Sequence, residues 1–150
     1  MQLITGMLAD AATVERGKLY IHGGGWDTIW AATIPTTHSQ LALVLLIRVE
    51  YSEALTDLPL LIELIDEDDQ PVGVRIEGKI NVGHAAGTKP GWPVFVPQAI
   101  QFSMLQLPKI GGYSFRVRSG EAILGSIVFR VAPLSDMPGF QGLLPLGSQG

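Results

Sequence analysis

The stretch that decides the fold runs from Tyr113 to Arg118 and reads YSFRVR. Apolar and polar side chains alternate along it, which predicts a β-strand with one face on a core and the other in water. The pair Ser119-Gly120 then predicts a turn, and a largely apolar run over 123–131 follows it. Together these residues predict a β-hairpin late in the chain.

The remainder of the chain has the same strand character. Residues 72–82 alternate, and the apolar run 60–65 precedes them across the acidic turn 66–70, which predicts a second hairpin. Only 8–15 fits a helical turn, which Gly17 would end. Clusters of Gly, Pro, Ser and Asp separate the other predicted strands, which are 2–8, 18–22, 28–32, 40–50 and 99–107. We therefore expect an all-β domain, an antiparallel two-sheet β-sandwich of immunoglobulin-like or Greek-key type with eight or nine strands.

The strand predicted over 40–50 is apolar on both faces. Ala42, Val44 and Leu46 occupy the face that simple alternation would leave polar. Because a two-layer sandwich covers each sheet on one side only, this second apolar face needs a further cover. The N-terminal segment, the C-terminal tail and a partner protein remain alternative covers.

Two segments lack a strand pattern. Residues 84–98 form a long loop rich in Gly and Pro that carries Trp92 and Phe95, and loops of this length are often functional or disordered. After a domain over 1–132, residues 133–150 are expected to form an extended arm, because their three prolines oppose sheet pairing. The candidate partner-binding residues are therefore Ala42, Val44, Leu46, Trp92 and Phe95, and in the arm Met137, Phe140, Leu143, Leu144 and Leu146.

Composition limits the function further. The 150 residues fit one domain, and only 16% are charged, so the surface carries much uncharged area. A net charge of −4 with scattered basic residues argues against binding nucleic acid. The absence of Cys excludes disulfides and a Cys nucleophile. The apolar run 41–47 is too short to span a membrane, and no basic region follows Met1, so we expect a protein made in the cytoplasm, without a membrane partner.

Motifs that suggest chemistry have simpler explanations. The glycines at 23–25 precede strand-like sequence, which favours a β-bulge or a tight corner over a phosphate loop. The acidic run 66–69 lacks calcium-loop spacing and is typical of a hairpin turn. His22, His38 and His84 are far apart in the sequence and lack ligand spacing. We therefore expect no metal, no cofactor and no catalytic residues, and a protein that is not an enzyme.

The tryptophans allow one further interpretation. Trp26, Trp30 and Trp92 could form a carbohydrate platform. We favour core packing for the first two, which are four residues apart and would share one strand face, and a loop anchor for the third.

Five strings of the sequence carry a resemblance to known proteins: MLADAAT at 7–13, GKLYI at 17–21, GGGW at 23–26, ELIDED at 63–68 and GYSFRV at 112–117. They resemble strings of a small uncharacterised family of actinobacteria and their phages. The resemblance covers residues 3–131 and implies a compact β domain in a bacterial or phage context, with no assigned activity.

Two hypotheses for the function follow. The first is a non-catalytic structural protein, a decorating or bridging subunit of a larger assembly such as a phage virion, with protein partners that are copies of itself or other subunits. The second is a free cytoplasmic binding module for a small ligand or a transient protein partner, which would use residues 84–98 and 23–30. The low charge, the two-faced strand and the apolar arm favour the first.

Overall fold

The structure is a computed structural model, and it describes residues 1–139. Within that range the chain forms two sheets, one with strand order β2-β1-β4-β7 and the other with order β3-β9-β8-β5-β6. The strands are β1 Gln2–Glu15, β2 Lys18–Trp26, β3 Thr28–Ala31, β4 Thr36–Val49, β5 Leu58–Asp66, β6 Pro71–Ile80, β7 Val94–Leu107, β8 Gly111–Ser119 and β9 Ala122–Pro133. Two single-turn 3-10 helices lie at Tyr51–Glu53 and Leu134–Asp136, and no helix in the described range is long enough to cross a membrane. We call the sheets A and B in the order given.

The predicted two-sheet β-sandwich is confirmed. The first hairpin is β8 and β9, which turn at Gly120 with a φ of +58°, and the second is β5 and β6. One strand pair departs from the antiparallel expectation, because β3 pairs with β9 in parallel. The single residue Asp27 separates β3 from β2. The chain therefore crosses directly from one sheet to the other without a hairpin that would reverse its direction.

The prediction that 8–15 could form a helical turn is wrong, because these residues form the second half of β1. They pair with β2 from Ala9, opposite Gly24, to Glu15, opposite Lys18. Cross-strand pairing overrides the weak local helical preference of this alanine-rich segment.

The β-bulge predicted at the three glycines is confirmed. The β1–β2 register shifts between Leu8, which lies opposite Trp26, and Ala9, which lies opposite Gly24. Gly25 is therefore the extra residue, and its φ of +85° is a left-handed value that suits glycine. With the bulge, β2 continues to Trp26, whereas the strand was predicted to end at residue 22.

The long loop is shorter than predicted, because β7 begins at Val94. This strand pairs with β4 along its whole length, from Val94 opposite Val49 to Leu107 opposite Thr36. Phe95 is therefore a strand residue, whereas Trp92 lies in the loop. The arm also begins later, since Pro133 pairs with Ala31 as the last residue of β9.

The core lies between the sheets. Phe115 stacks on Phe129 at 5.7 Å between ring centroids, and both are buried with Tyr113. The Tyr113 hydroxyl donates to the carbonyl of Lys109 at 2.7 Å, so its polar end is satisfied at the core margin. Sheet A contributes the inner face of β4, which is Leu41, Leu43, Leu45, Ile47 and Val49.

Candidate functional site

The N-terminal hairpin covers part of the outer face of β4. Ala42 and Val44 are 0% exposed, and they form a small apolar cluster with Ala9 and Ala12 of β1. Leu19 of β2 packs against the same cluster. Among the alternative covers, the described structure therefore has the N-terminal segment over Ala42 and Val44. In this fold these two side chains offer no surface to a partner.

A side-chain hydrogen bond ties the hairpin to the sheet. The amide of Gln101 on β7 donates to the carbonyl oxygen of Ala12 on β1. Since β4 lies between β1 and β7 in the sheet, this bond requires the far half of the hairpin to bend back over the outer face. Within the hairpin, Gly24 leaves room for its neighbours, because a Cβ there would lie 2.7 Å from Cγ2 of Ile21 and 3.2 Å from the sulfur of Met7.

Beyond the hairpin, the outer face of sheet A stays apolar and accessible. Leu46 lies opposite Pro97, and Phe95 is two residues from Pro97 on the same face of β7. Leu46 is half-buried and Phe95 is 51% exposed. We call Leu46, Phe95 and Pro97 the outer-face patch. An ion pair of 2.7 Å between Arg48 and Glu50 lies at its edge.

Trp92 stands apart from the outer-face patch in the loop that leads to β7. Its side chain is 56% exposed, and the ammonium of Lys89 lies 5.5 Å from the ring centroid. The same loop is attached to the domain by His84, whose ring stacks on Tyr51 at 4.0 Å. Trp92 thus has a neighbouring cation. Its side chain is exposed, and it does not anchor the loop as predicted.

The edge strands β6 and β7 face each other across one open side of the sandwich. Two clefts lie between them, one of about 610 Å³ that Val74 and Phe102 help to line, and one of about 370 Å³ that Ile76 and Ile100 help to line. The lining side chains come mainly from the two sheets' inner faces, so the core is only partly closed on this side.

A further cleft lies where β2 crosses to β3. Its volume is about 340 Å³, and we call it the tryptophan cleft. Trp26 and Trp30 line it together, but from two different strands, so the prediction that they share one strand face is wrong. The remaining lining residues are Asp10, Thr28, Ile29, His38 and Met137.

Two polar side chains of the tryptophan cleft, His38 and Thr28, contact neighbouring side chains. The His38 ring lies 5.8 Å from that of Trp26, and the Thr28 hydroxyl accepts a hydrogen bond from Nε of Arg130 at 3.1 Å. Asp10 lies against Gly23, where a Cβ would come within 2.3 Å of its carboxylate oxygen. A residue larger than glycine at this position would therefore displace the carboxylate.

The carboxylates of the acidic turn 66–69 make contacts within the protein. Within residues 1–139, no group of three or more His, Asp or Glu side chains is placed to hold an ion. Asp66 accepts hydrogen bonds from the backbone N–H groups of Asp68 and Gln70, and Lys109 lies 3.1 Å from its carboxylate. The turn carboxylates thus have structural partners.

The arm can be followed only at its start. Met137 lines the tryptophan cleft and is 55% exposed. The other candidate residues of the arm, which are Phe140, Leu143, Leu144 and Leu146, lie outside the described residues.

Sequence reasoning missed the open side between β6 and β7, and it indicated the tryptophan cleft only in part, through the candidate region 23–30. The order of strands in a sheet decides which strands lie at its edges, and no local pattern reports that order. For the cleft a signal existed, since the bulge glycines directly precede Trp26. The position of His38 beside Trp26 depends on the tertiary fold.

Comparison with known proteins gives a family match. The family described as "Family of unknown function (DUF6941)" matches residues 5–132. No curated protein matches the chain. The matched range contains the outer-face patch and all of the tryptophan cleft except Met137.

Proposed function

Since the chain belongs to the family of unknown function DUF6941, we propose its function from its surfaces: it is a non-catalytic, protein-binding subunit of a larger assembly. The observation that carries the proposal is the outer-face patch. Leu46, Phe95 and Pro97 leave an apolar area on a sheet face whose neighbouring area the protein already covers with its own hairpin. An apolar face that continues past its cover is typical of a protein interface.

The partner we propose is a second copy of this chain. The three residues of the outer-face patch are uncharged, and the adjoining ion pair of Glu50 with Arg48, which lies directly opposite Phe95, is neutral overall. The same patch on a second copy is thus compatible in charge and polarity, as a two-fold symmetric interface requires. Burial of Phe95 and Leu46 between the copies would supply the apolar centre that such interfaces use.

A decorating or bridging role in a phage particle is the more specific form of this proposal. It rests on the low proportion of charged residues, which is 16%, and on the resemblance to proteins of actinobacteria and their phages. On this proposal the protein is made in the cytoplasm and then incorporated into the particle. Mass spectrometry of particles purified from an infected host tests it. We expect the chain to be present in the particles in a fixed stoichiometry.

The matched pair Phe95→Glu and Val128→Glu tests the interface. Both side chains are well exposed, at 51% and 68%, but Val128 lies on the opposite outer face of the molecule. A charge at position 95 must be desolvated in the interface, so the dissociation constant should rise by about tenfold or more. Sedimentation velocity over a range of concentrations measures it for wild type and both variants.

We expect Val128→Glu to self-associate like wild type. A wild-type chain that stays monomeric at every concentration, or equal weakening by both substitutions, would contradict the proposed interface. Circular dichroism of each variant shows that the fold is retained.

A second candidate function is a free cytoplasmic module that binds a small ligand. The observation in its favour is that residues 26–30, part of the region proposed from the sequence, line the tryptophan cleft. A monomer in solution that binds a ligand through Trp26 and Trp30 would favour this candidate over the assembly subunit.

A further inference from the structure

The tryptophan cleft combines two chemically different kinds of surface. Trp26, Trp30 and Ile29 provide apolar walls in a space of about 340 Å³. The polar groups of the cleft are the Asp10 carboxylate, the Thr28 hydroxyl and the His38 imidazole. Among residues 1–139, no Lys or Arg lines it. Broad aromatic surfaces with a few placed polar groups are typical of small-molecule sites.

The polar groups are arranged to take part in further hydrogen bonds. In the described range the Asp10 carboxylate has neither a hydrogen-bond donor nor a cation as its partner. Thr28 donates to Asp27 at 2.9 Å and accepts from Arg130 at 3.1 Å, so its oxygen still has one free lone pair. The buried Nε1–H of Trp26 finds no acceptor among residues 1–139. Because that nitrogen is itself buried, a ligand in the cleft meets the Asp10 carboxylate, the Thr28 oxygen and the His38 imidazole, and it needs donors for the first two.

Backbone geometry organises this cleft in advance. The Gly25 bulge carries β2 on to Trp26, and Asp27 alone separates Trp26 from β3, which holds Trp30. Gly23, with a φ of +60°, leaves the space in which the Asp10 carboxylate lies. Since strand pairing holds both tryptophans, a ligand would meet walls that are largely in place.

We propose that the tryptophan cleft binds a neutral saccharide ring. The C–H face of a pyranose packs on indole, and its hydroxyls both donate and accept hydrogen bonds. Hydroxyl groups can thus donate to Asp10 and pair, as donor or acceptor, with the imidazole of His38. An organic cation would use the aromatic rings and Asp10 but would leave the His38 imidazole without a partner. The site does not depend on the proposed assembly role.

The test uses the full chain on an array of neutral glycans, followed by titration of tryptophan fluorescence with the best glycan found. Trp30→Ala removes one wall and should weaken binding by about tenfold or more. Asp10→Asn keeps the shape of the side chain but loses the charged acceptor, and should weaken binding by about tenfold. Trp92→Ala is the matched control, because Trp92 lies in a separate loop, and should bind like wild type.

Choline provides the competing arm of the experiment. Saccharide binding should persist when the ionic strength is raised, whereas binding of a cation beside Asp10 should weaken. The proposal is overturned if no glycan binds above the background, if a folded Trp30→Ala binds as well as wild type, or if choline binds in place of glycans. If circular dichroism shows that Trp30→Ala does not fold, the affinity of Asp10→Asn for the glycan is used instead. Binding by Asp10→Asn as tight as that of wild type then overturns the proposal.

Discussion

The outer faces of the two sheets differ in how they meet their surroundings. On sheet B the face carries ion pairs, with Arg75 lying 3.6 Å from Glu63 and Arg116 lying 2.8 Å from Asp69. On sheet A the corresponding face of β4 is apolar from Ala42 to Leu46 and ends in the ion pair of Arg48 and Glu50, and the N-terminal hairpin buries Ala42 and Val44. The outer face of a sheet that lies in water is commonly polar. Sheet B follows this rule with charged side chains, whereas part of the apolar face of sheet A is covered by the hairpin.

The length of β1 makes the cover possible. Its first half pairs with β4 as far as Ala9, opposite Ala42, while its second half pairs with β2 alone. Freed from β4, the second half can bend over the sheet, where small side chains such as Ala9 and Ala12 allow close contact. The cover ends before Leu46, which leaves the outer-face patch.

The largest effect should come from placing one charge on each outer face. Val44→Asp buries a carboxylate at a site that is 0% exposed, and should cost about 3–5 kcal/mol of unfolding free energy. Val128→Asp makes the same change where the side chain is 68% exposed, and should stay within about 0.5 kcal/mol. Urea denaturation followed by circular dichroism measures both. Similar losses from the two substitutions would break the comparison.

A smaller effect should come from releasing the hairpin. Gln101→Ala removes the hydrogen bond to the carbonyl of Ala12, and should cost about 1 kcal/mol. Amide hydrogen exchange should quicken in residues 9–24 and stay unchanged in β8 and β9, because the hairpin can open locally. Gln106→Ala on the same strand is the control, since that side chain is exposed. Uniform acceleration across both sheets would argue against a separate cover.

The smallest effect concerns the charges at the end of sheet B. The backbone N–H of Gln70, with help from Lys109, lowers the pKa of Asp66 in the folded protein. A lowered pKa stabilises the fold above the unfolded value of roughly 3.9, and that stabilisation is lost as the pH falls through the folded value. Asp66→Asn should therefore flatten the fall in melting temperature below about pH 4. Thermal melts over an acid pH series measure it, with Glu121→Gln as the control. An unchanged acid slope would contradict this role.

Much of the fold could be predicted because its signals are local. The alternation over 113–118 and the turn at Gly120 identified β8 and β9, and the three glycines identified the bulge. The apolar second face of β4 also correctly indicated that sheet A needs a cover. Each of these inferences uses residues that are neighbours in the chain, where a period of two or a left-handed φ has a direct cause.

The candidate sites were less predictable, because they join distant parts of the chain. Leu46 and Phe95 were both candidates, and the pairing of β4 with β7 places them on one face. Ala42 and Val44 had the same apolar pattern as Leu46, yet the hairpin buries them. The tryptophan cleft needs Asp10 and His38 beside Trp26, which depends on the path of three strands.

The amino-acid sequence by itself determined the fold class, the hairpins and the presence of an apolar second face on β4, since side-chain alternation and glycine positions act over a few residues. Only the tertiary structure decided what covers that face, where the cover ends and which residues line the tryptophan cleft. The physical reason is that apolar burial has no direction of its own. A pattern can require cover for Val44, but the register and bend of a distant hairpin decide which segment supplies it.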